Sequence, residues 1–324
     1  MKKKGLIIGK FMPMHKGHMH LIERAGREVN ELIVLVCSLA SEPIPGELRY
    51  KWVKETFPNI IVHHMQDENP QEPHEHPEFW DIWLKSIRKF CPDGPDVLFS
   101  SEEYGYKLSE VLGCIHRPVD IQRTTFPISG TKIRQNPHLY WDFIPESVKP
   151  YFLKKIVIYG SESTGKTTTA SFLAKEFDTI WVPEFARDYL EKKNNIIEDS
   201  DFPVIARGQI QLEEDYSKKA RGFLFCDTDL HTTKIYSNMY IGYCEKEIEN
   251  LAESRKYDLY LLMDIDIDWV SDPLRDFPNE RKEMHRLFLQ ELKARSIPYI
   301  LIKGQGKERL QNAKQAVKIF FHID

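Results

Sequence analysis

The chain is poor in the features that mark secreted, metal-bound, membrane or nucleic-acid-binding proteins. It has 324 residues and five cysteines, Cys37, Cys91, Cys114, Cys226 and Cys244, with no C-x-x-C pair among them. An odd number without metal-ligand spacing excludes a disulfide framework or a zinc ribbon and points to reduced thiols in the cytoplasm. Cys37 and Cys226 fall inside apolar runs and read as small core residues. No apolar run approaches the ~18 residues of a membrane span. The basic start Met1-Lys2-Lys3-Lys4 is followed by an apolar stretch too short for a signal peptide, closed by Lys10. Positive charge is not in excess: 45 Lys and Arg face 49 Asp and Glu, a net charge of −4. No global basic field therefore recruits nucleic acid, and anionic ligands must be held by local groups. Internal repeats and low-complexity segments are lacking as well. With 41% hydrophobic and 29% charged residues the composition is that of a soluble globular protein, long enough for two domains.

What is present is an alternation of short apolar runs with amphipathic stretches. Gly5–Gly9, Leu32–Cys37, Ile60–His63, Val97–Ser100 and Cys114–Val119 read as strands. His18–Val29, Leu48–Phe57 and Trp80–Phe90 read as helices. Strand-helix alternation predicts a parallel sheet with crossover helices. The pattern pauses at Phe143-Ile144-Pro145-Glu146-Ser147-Val148-Lys149-Pro150 and then restarts. Strands are expected again at Lys155–Tyr159, Thr179–Val182, Phe223–Cys226, Leu259–Met263 and Pro298–Ile302. Helices are expected after Lys166, over Val204–Ala220 and over Lys307–Phe320. The fold class is therefore α/β, with two doubly wound parallel-sheet domains over residues 1–150 and 151–324.

Each half carries a phosphate-handling motif directly after its first strand. The first is Gly9-Lys10-Phe11-Met12-Pro13-Met14-His15-Lys16-Gly17-His18. Gly17 permits close approach to phosphate, and His15 and His18 at a helix start can donate hydrogen bonds to an α-phosphate and a departing pyrophosphate. Lys10 adds charge, and Pro13 fixes the turn. A second element, Ile128-Ser129-Gly130-Thr131-Lys132-Ile133-Arg134, offers Ser129 as an N-cap, free backbone N–H groups for β/γ-phosphates, and Arg134 for charge. A phosphate nucleophile is already ionised, so adenylyl transfer needs no strong general base, and no obvious catalytic carboxylate is seen here.

The second motif is Gly160-Ser161-Glu162-Ser163-Thr164-Gly165-Lys166-Thr167, followed by Thr168. It matches G-x-x-x-x-G-K-[ST] between a strand and a helix. The loop's N–H groups would cradle ATP, Lys166 would reach the β/γ-phosphates, and Thr167 would present its hydroxyl to Mg²⁺. Glu184 and Asp227 stand at the ends of later strands, where the ligand of an open α/β sheet lies. Asp227 is assigned to the metal and Glu184 to the acceptor hydroxyl, with the exchange of the two roles left open. Arg187 reads either as a phosphate ligand or as a surface ion pair. Trp269-Val270-Ser271-Asp272-Pro273-Leu274-Arg275 reads as a lid, with Arg275 near the transferring group and Trp269 either stacking on a base or packing.

Taken together, these motifs resemble those of the NadR-type bifunctional nicotinamide-nucleotide adenylyltransferases and ribosylnicotinamide kinases. The resemblance runs over essentially the whole chain. It includes Leu48-Arg49-Tyr50-Lys51-Trp52, Trp80 and Trp83, Phe99-Ser100-Ser101-Glu102, Glu184-Phe185-Ala186-Arg187, Asp227-Thr228-Asp229 and the Trp269–Arg275 segment. It implies a Rossmann-like H-x-G-H nucleotidyltransferase followed by a P-loop kinase. The kinase would phosphorylate nicotinamide riboside with ATP; the other domain would join the mononucleotide to AMP, giving NAD and pyrophosphate. It makes Trp80 and Trp83 candidates to stack on nicotinamide in the first site, with a core role as the alternative, and Trp269, Arg187 and Asp272 candidates for the kinase substrate.

Some relatives carry a DNA-binding helix-turn-helix before the first strand. Met1 lies almost at that strand here, so no DNA binding is expected, and homo-oligomerisation stays open. The acidic, His-rich segment Gln66–His76 reads as a solvated loop. Two rival readings remain: the same chemistry on another vitamin-derived substrate, and a nucleotide-sensing protein with one silent domain.

Overall fold

The computed structural model describes residues 2–323, which fall into two compact units divided between Phe152 and Leu153. The first contains β1 (Lys4–Gly9), α1 (Lys16–Glu28), β2 (Glu31–Cys37), α2 (Gly46–Thr56), β3 (Ile61–Met65), α3 (Phe79–Arg88), β4 (Val97–Ser100), α4 (Tyr104–Leu112), β5 (Ile115–Pro118), α5 (Gly130–Gln135) and α6 (Lys149–Phe152). Its five strands are parallel, in the order β3-β2-β1-β4-β5. β1 is central because it is apolar on both faces: Leu6 and Ile7 are fully buried, as are Leu35 on β2 and Leu98 on β4. The chain winds outward from β1 to β3 and then returns to β4. The crevice beyond β1 and β4 is thus the switch point, where such sheets bind ligands. Either side of β1 carries the same clasp. Ser38 after β2 meets His64 Nε2 on β3 at 2.7 Å, and Ser100 at the end of β4 meets His116 Nε2 on β5 at 2.8 Å.

The second unit contains β6 (Lys154–Tyr159), α7 (Lys166–Glu176), β7 (Ile180–Val182), α8 (Phe185–Lys192), α9 (Asp201–Ser217), β8 (Phe223–Asp227), α10 (Leu230–Ile241), α11 (Lys246–Ser254), β9 (Leu259–Met263), α12 (Arg281–Ala294), β10 (Tyr299–Ile302) and α13 (Gly306–Phe320). The strand order is β10-β9-β6-β8-β7, again all parallel. Ile156, Val157, Ile158 and Tyr159 of β6 are fully buried, so both faces of the strand lie under helices.

Every strand expected from the sequence is present, within a residue or two. Cys114 stands outside β5, because Gly113 at φ 72° ends α4 in a left-handed cap and Cys114 N–H returns to Ser109 O at 3.0 Å. Helices α4, α8, α10, α11 and α12 go beyond the sequence expectation; α4 carries Gly105 and only one turn of apolar spacing, Leu108 to Leu112. Burial pushes the Cys37 thiol up to about 12 and Cys226 well above the usual range, so both remain protonated core thiols. Among the described residues, no helix is long and apolar enough to cross a membrane.

Candidate active sites

At the end of β1 the chain turns through Lys10–Met14 into α1, whose N-cap is His15. The backbone N–H of His15 donates to Nδ1 of His18 at 3.2 Å. An accepting Nδ1 leaves the proton of a neutral imidazole on Nε2, the nitrogen free to face a ligand. Burial, reinforced by the Arg123 guanidinium, lowers His15 to about 4. Burial, then the proximity of His15 and Arg123, hold His18 well below its usual range. The two rings lie 3.8 Å apart between centroids. The site therefore offers neutral N–H donors at pH 7.

The two sequence elements of this site are joined through one carbonyl. Arg134 Nη1 donates to Met12 O, and its Nη2 reaches Thr131 Oγ1 at 3.2 Å. Gly130 lets α5 come this close: a Cβ there would stand 2.4 Å from Met12 O. Ser129 caps α5 by accepting from Lys132 N–H at 3.3 Å, as its sequence position suggests. Arg134 is thus committed to the turn as well as facing the cavity. Lys10 is held by Glu42 at 2.9 Å, and Glu42 by Arg49 at 2.6 Å. Arg49 is fully buried and also donates to Lys10 O at 2.8 Å and Cys37 O at 3.3 Å.

These residues border a cavity of about 900 Å³, whose lining includes Gly9, Lys10, Phe11, His15, Gly17, His18, Ser129, Thr131 and Arg134. Trp80 and Trp83 line it and also pack against the core. One expectation is corrected in part. The Gln66–His76 segment is not simply solvated: Trp83 Nε1 donates to Pro70 O at 2.8 Å, which draws Gln71, Glu72 and Pro73 into the wall. Glu72, Glu102, Glu103 and Asp120 also line the cavity. Sequence reasoning missed Arg123. It is placed there because Asp120 accepts N–H groups from Thr124, Thr125 and Phe126 and folds the loop, and it pairs with Glu102 at 3.2 Å.

In the second unit the loop after β6 runs from Gly160 to Gly165, the N-cap of α7. Gly160 adopts φ 140°, and a Cβ there would stand 3.1 Å from Met263 O. Lys166 Nζ donates to Ser161 O at 3.0 Å, and Thr164 Oγ1 to the same carbonyl at 2.7 Å. Thr167 Oγ1 donates to Asp227 Oδ2 at 2.5 Å. Asp227 is nearly inaccessible; burial and then Glu184 push it up to about 6, against Lys166 and Thr167. Asp227 Oδ1 is buried without a partner. Asp229, by contrast, is an N-cap, accepting from Thr232 N–H at 3.0 Å and Tyr260 OH at 2.7 Å.

A cavity of about 180 Å³ is lined by Glu162–Thr168, Glu184, Arg187 and Arg275, among others. The lid segment is tied to the loop: Val270 N–H donates to Ser163 Oγ at 2.8 Å, and Arg281 Nη2 to Ser163 O at 3.1 Å. Arg187 pairs with Asp272 at 3.2 Å, joining two residues 85 positions apart in the sequence. Arg275 donates to Val270 O. The Arg281 guanidinium lies over the Trp269 ring, 6.0 Å from its centroid, and Trp269 is not part of the cavity lining. Arg309 on α13 escaped the sequence reading. It is buried and reaches Thr164 O at 3.2 Å and Asp266 at 2.5 Å, bracing the phosphate loop from behind.

Comparison with known proteins separates the same two parts. A Cytidylyltransferase-like family model matches residues 6–136, and an AAA domain model matches residues 155–309. The chain is 33% identical to the Trifunctional NAD biosynthesis/regulator protein NadR of Escherichia coli (strain K12), over 94% of this chain and 80% of that protein. The chain belongs to the NadR family. The first part is also similar to a Nicotinamide-nucleotide adenylyltransferase of Methanococcus maripaludis (strain C5 / ATCC BAA-1333), 24% identical over 41% of this chain and 76% of that protein. A crystal structure of a NadR protein in complex with NAD and AMP-PNP superposes with a TM-score of 0.75 at 23% identity, over 100% of this chain and 97% of that one. A NadR protein in complex with NR gives 0.76 over the same shares. At that identity these two structures speak to the fold, which this NadR-family chain shares along its length.

Proposed function

We propose that this NadR-family chain makes NAD in two steps. It phosphorylates the 5′-hydroxyl of nicotinamide riboside with ATP in the second unit, then adenylylates the mononucleotide with a second ATP in the first. The observation that carries this reading is the pairing, in one chain of this family, of a histidine loop clamped to α5 through Met12 O with a phosphate loop whose Thr167 meets Asp227.

In the adenylyl step, the mononucleotide's phosphate oxygen attacks the α-phosphorus of ATP and pyrophosphate leaves. His15 and His18 donate N–H groups to the oxygens where charge builds, and Lys10 and Arg134 add positive charge at the mouth. Trp80 and Trp83 offer flat faces to the pyridine ring. In the kinase step, the loop from Gly160 to Thr168 holds ATP, with Lys166 on the β/γ-phosphates. Glu184 accepts the proton of the attacking hydroxyl. Arg187, Asp272, Arg275 and Trp269 close over the riboside as the lid moves.

Mg²⁺ fits the kinase site. Asp227 Oδ1 is an orphaned buried oxygen beside the Thr167 hydroxyl. Among the described residues no group of three or more His, Cys, Asp or Glu gathers to hold a metal. Mg²⁺ would be carried mainly by phosphate oxygens and water. When bound, it neutralises charge on the β/γ-phosphates.

The test is a time course with purified chain, nicotinamide riboside, ATP and Mg²⁺, products being resolved by chromatography. Mononucleotide followed by NAD is expected. NAD from supplied mononucleotide but none from the riboside would move the kinase to another acceptor.

A further inference from the structure

Glu162, four residues before Lys166, is an acid within the phosphate loop. It adds negative charge to a loop whose purpose is to hold a phosphate chain, so its carboxylate needs a different partner. Its side chain lines the same cavity as Glu184, the acid at the end of β7, and as Asp276, Tyr236 and Tyr240. Its Oε2 is buried with no hydrogen-bond partner. Tyr240 OH donates to Asp276 Oδ2 at 2.5 Å, so that carboxylate too is held within the cavity's wall. Arg187, three residues after Glu184, is taken up by Asp272 at 3.2 Å and Glu191 at 3.7 Å. Arg275 is turned to Val270 O.

We propose that Glu162 and Asp276, with the rings of Tyr236 and Tyr240, select an acceptor nucleoside whose base is a cation. The proposal rests on the kinase reading of this site and names what that site requires of its substrate. Burial weighs most on Glu162 and pushes it up to about 7. The Phe277 backbone N–H and then Lys166 favour its ionisation, Asp276 and Glu184 oppose it, and the Tyr236 hydroxyl is hydrogen-bonded to it. Lys166 is engaged by phosphates during turnover and Arg187 by Asp272 and Glu191, which leaves Arg275 against three acids, Glu162, Glu184 and Asp276, in the cavity lining. A pyridinium ring supplies further positive charge, and tyrosine faces attract it further. A neutral base in the same place leaves carboxylate charge uncompensated in a partly dry cavity.

Nicotinamide riboside and its reduced 1,4-dihydro form share a ribose, a 5′-hydroxyl and nearly the same outline, but only the first carries a positive ring. The experiment measures kcat/KM for both with ATP at pH 8, where Glu162 is ionised, in wild type, Glu162→Gln and Asp276→Asn. Wild type should favour the charged riboside by on the order of tenfold. Each variant should narrow that ratio towards unity, mainly by raising KM for the charged form. A thermal melt of each variant that matches wild type confirms that the second unit is folded. Equal use of both ribosides by wild type, or an equal loss of both in Glu162→Gln, overturns the proposal and leaves the kinase reading standing. If wild type phosphorylates neither riboside, the kinase reading fails and the proposal with it.

Discussion

The two phosphate-handling loops occupy equivalent places, each beyond the end of the central strand of a five-stranded parallel sheet, yet their electrostatics are opposite. The first is built on two imidazoles kept neutral by burial. The second sets a lysine beside two acids, Glu162 and Asp227, that burial pushes up to about 7 and about 6. The difference follows the nucleophile each site must use. A phosphate arrives already ionised and needs only donors around the reacting phosphorus. A ribose hydroxyl must lose a proton, so its site carries a carboxylate, Glu184, at the end of β7. One fold thus serves two transfers because the chemistry is set by the few residues at the strand ends.

The comparison is broken most sharply by removing the lysine. Lys166→Ala should lower riboside phosphorylation by roughly 10²–10³-fold while leaving adenylylation of supplied mononucleotide intact. His18→Ala should lower adenylylation by roughly 10²-fold through one lost donor and leave the kinase intact. Both are read by assaying the two steps separately on one preparation.

The pH profiles should differ as well. Glu162 gains a proton as pH falls through about 7, so phosphorylation should decline on that acid side. The imidazoles are already neutral at pH 7, and His15 takes a proton only towards about 4. Adenylylation should therefore hold as the pH falls through the range in which phosphorylation is lost, in the same buffers. Coincident acid limbs would contradict the assignment.

A smaller effect sharpens the account of how the first site is assembled. Gly130→Ala puts a methyl 2.4 Å from Met12 O and must push α5 away from the histidine loop. Adenylylation should fall by about tenfold, since loss of close positioning is costly, with the kinase rate as the internal control.

Much of this was legible before the fold was known. The strands were readable because β1, β2, β6, β8 and β9 are continuous apolar runs, and the phosphate loops because each is a short unbroken stretch of chain. What escaped is what depends on distant chain meeting distant chain. Arg309 braces Thr164 across 145 positions, and Arg281 reaches Ser163 across 118. Arg123 enters the first cavity only through the turn organised by Asp120. No local pattern marks such residues, since an arginine on a helix looks the same whether it faces water or a buried carbonyl. Trp269 shows the reverse case: the motif is present, but the ring lies under Arg281 and outside the cavity lining.

The central claim is that two separate sites hand one intermediate forward. The direct measurement mixes Lys166→Ala and His18→Ala proteins in equal amounts with nicotinamide riboside, ATP and Mg²⁺ and follows NAD. Each variant alone should make almost none, and the mixture should restore NAD formation because one supplies mononucleotide to the other. A mixture as silent as its folded components would contradict two independent sites.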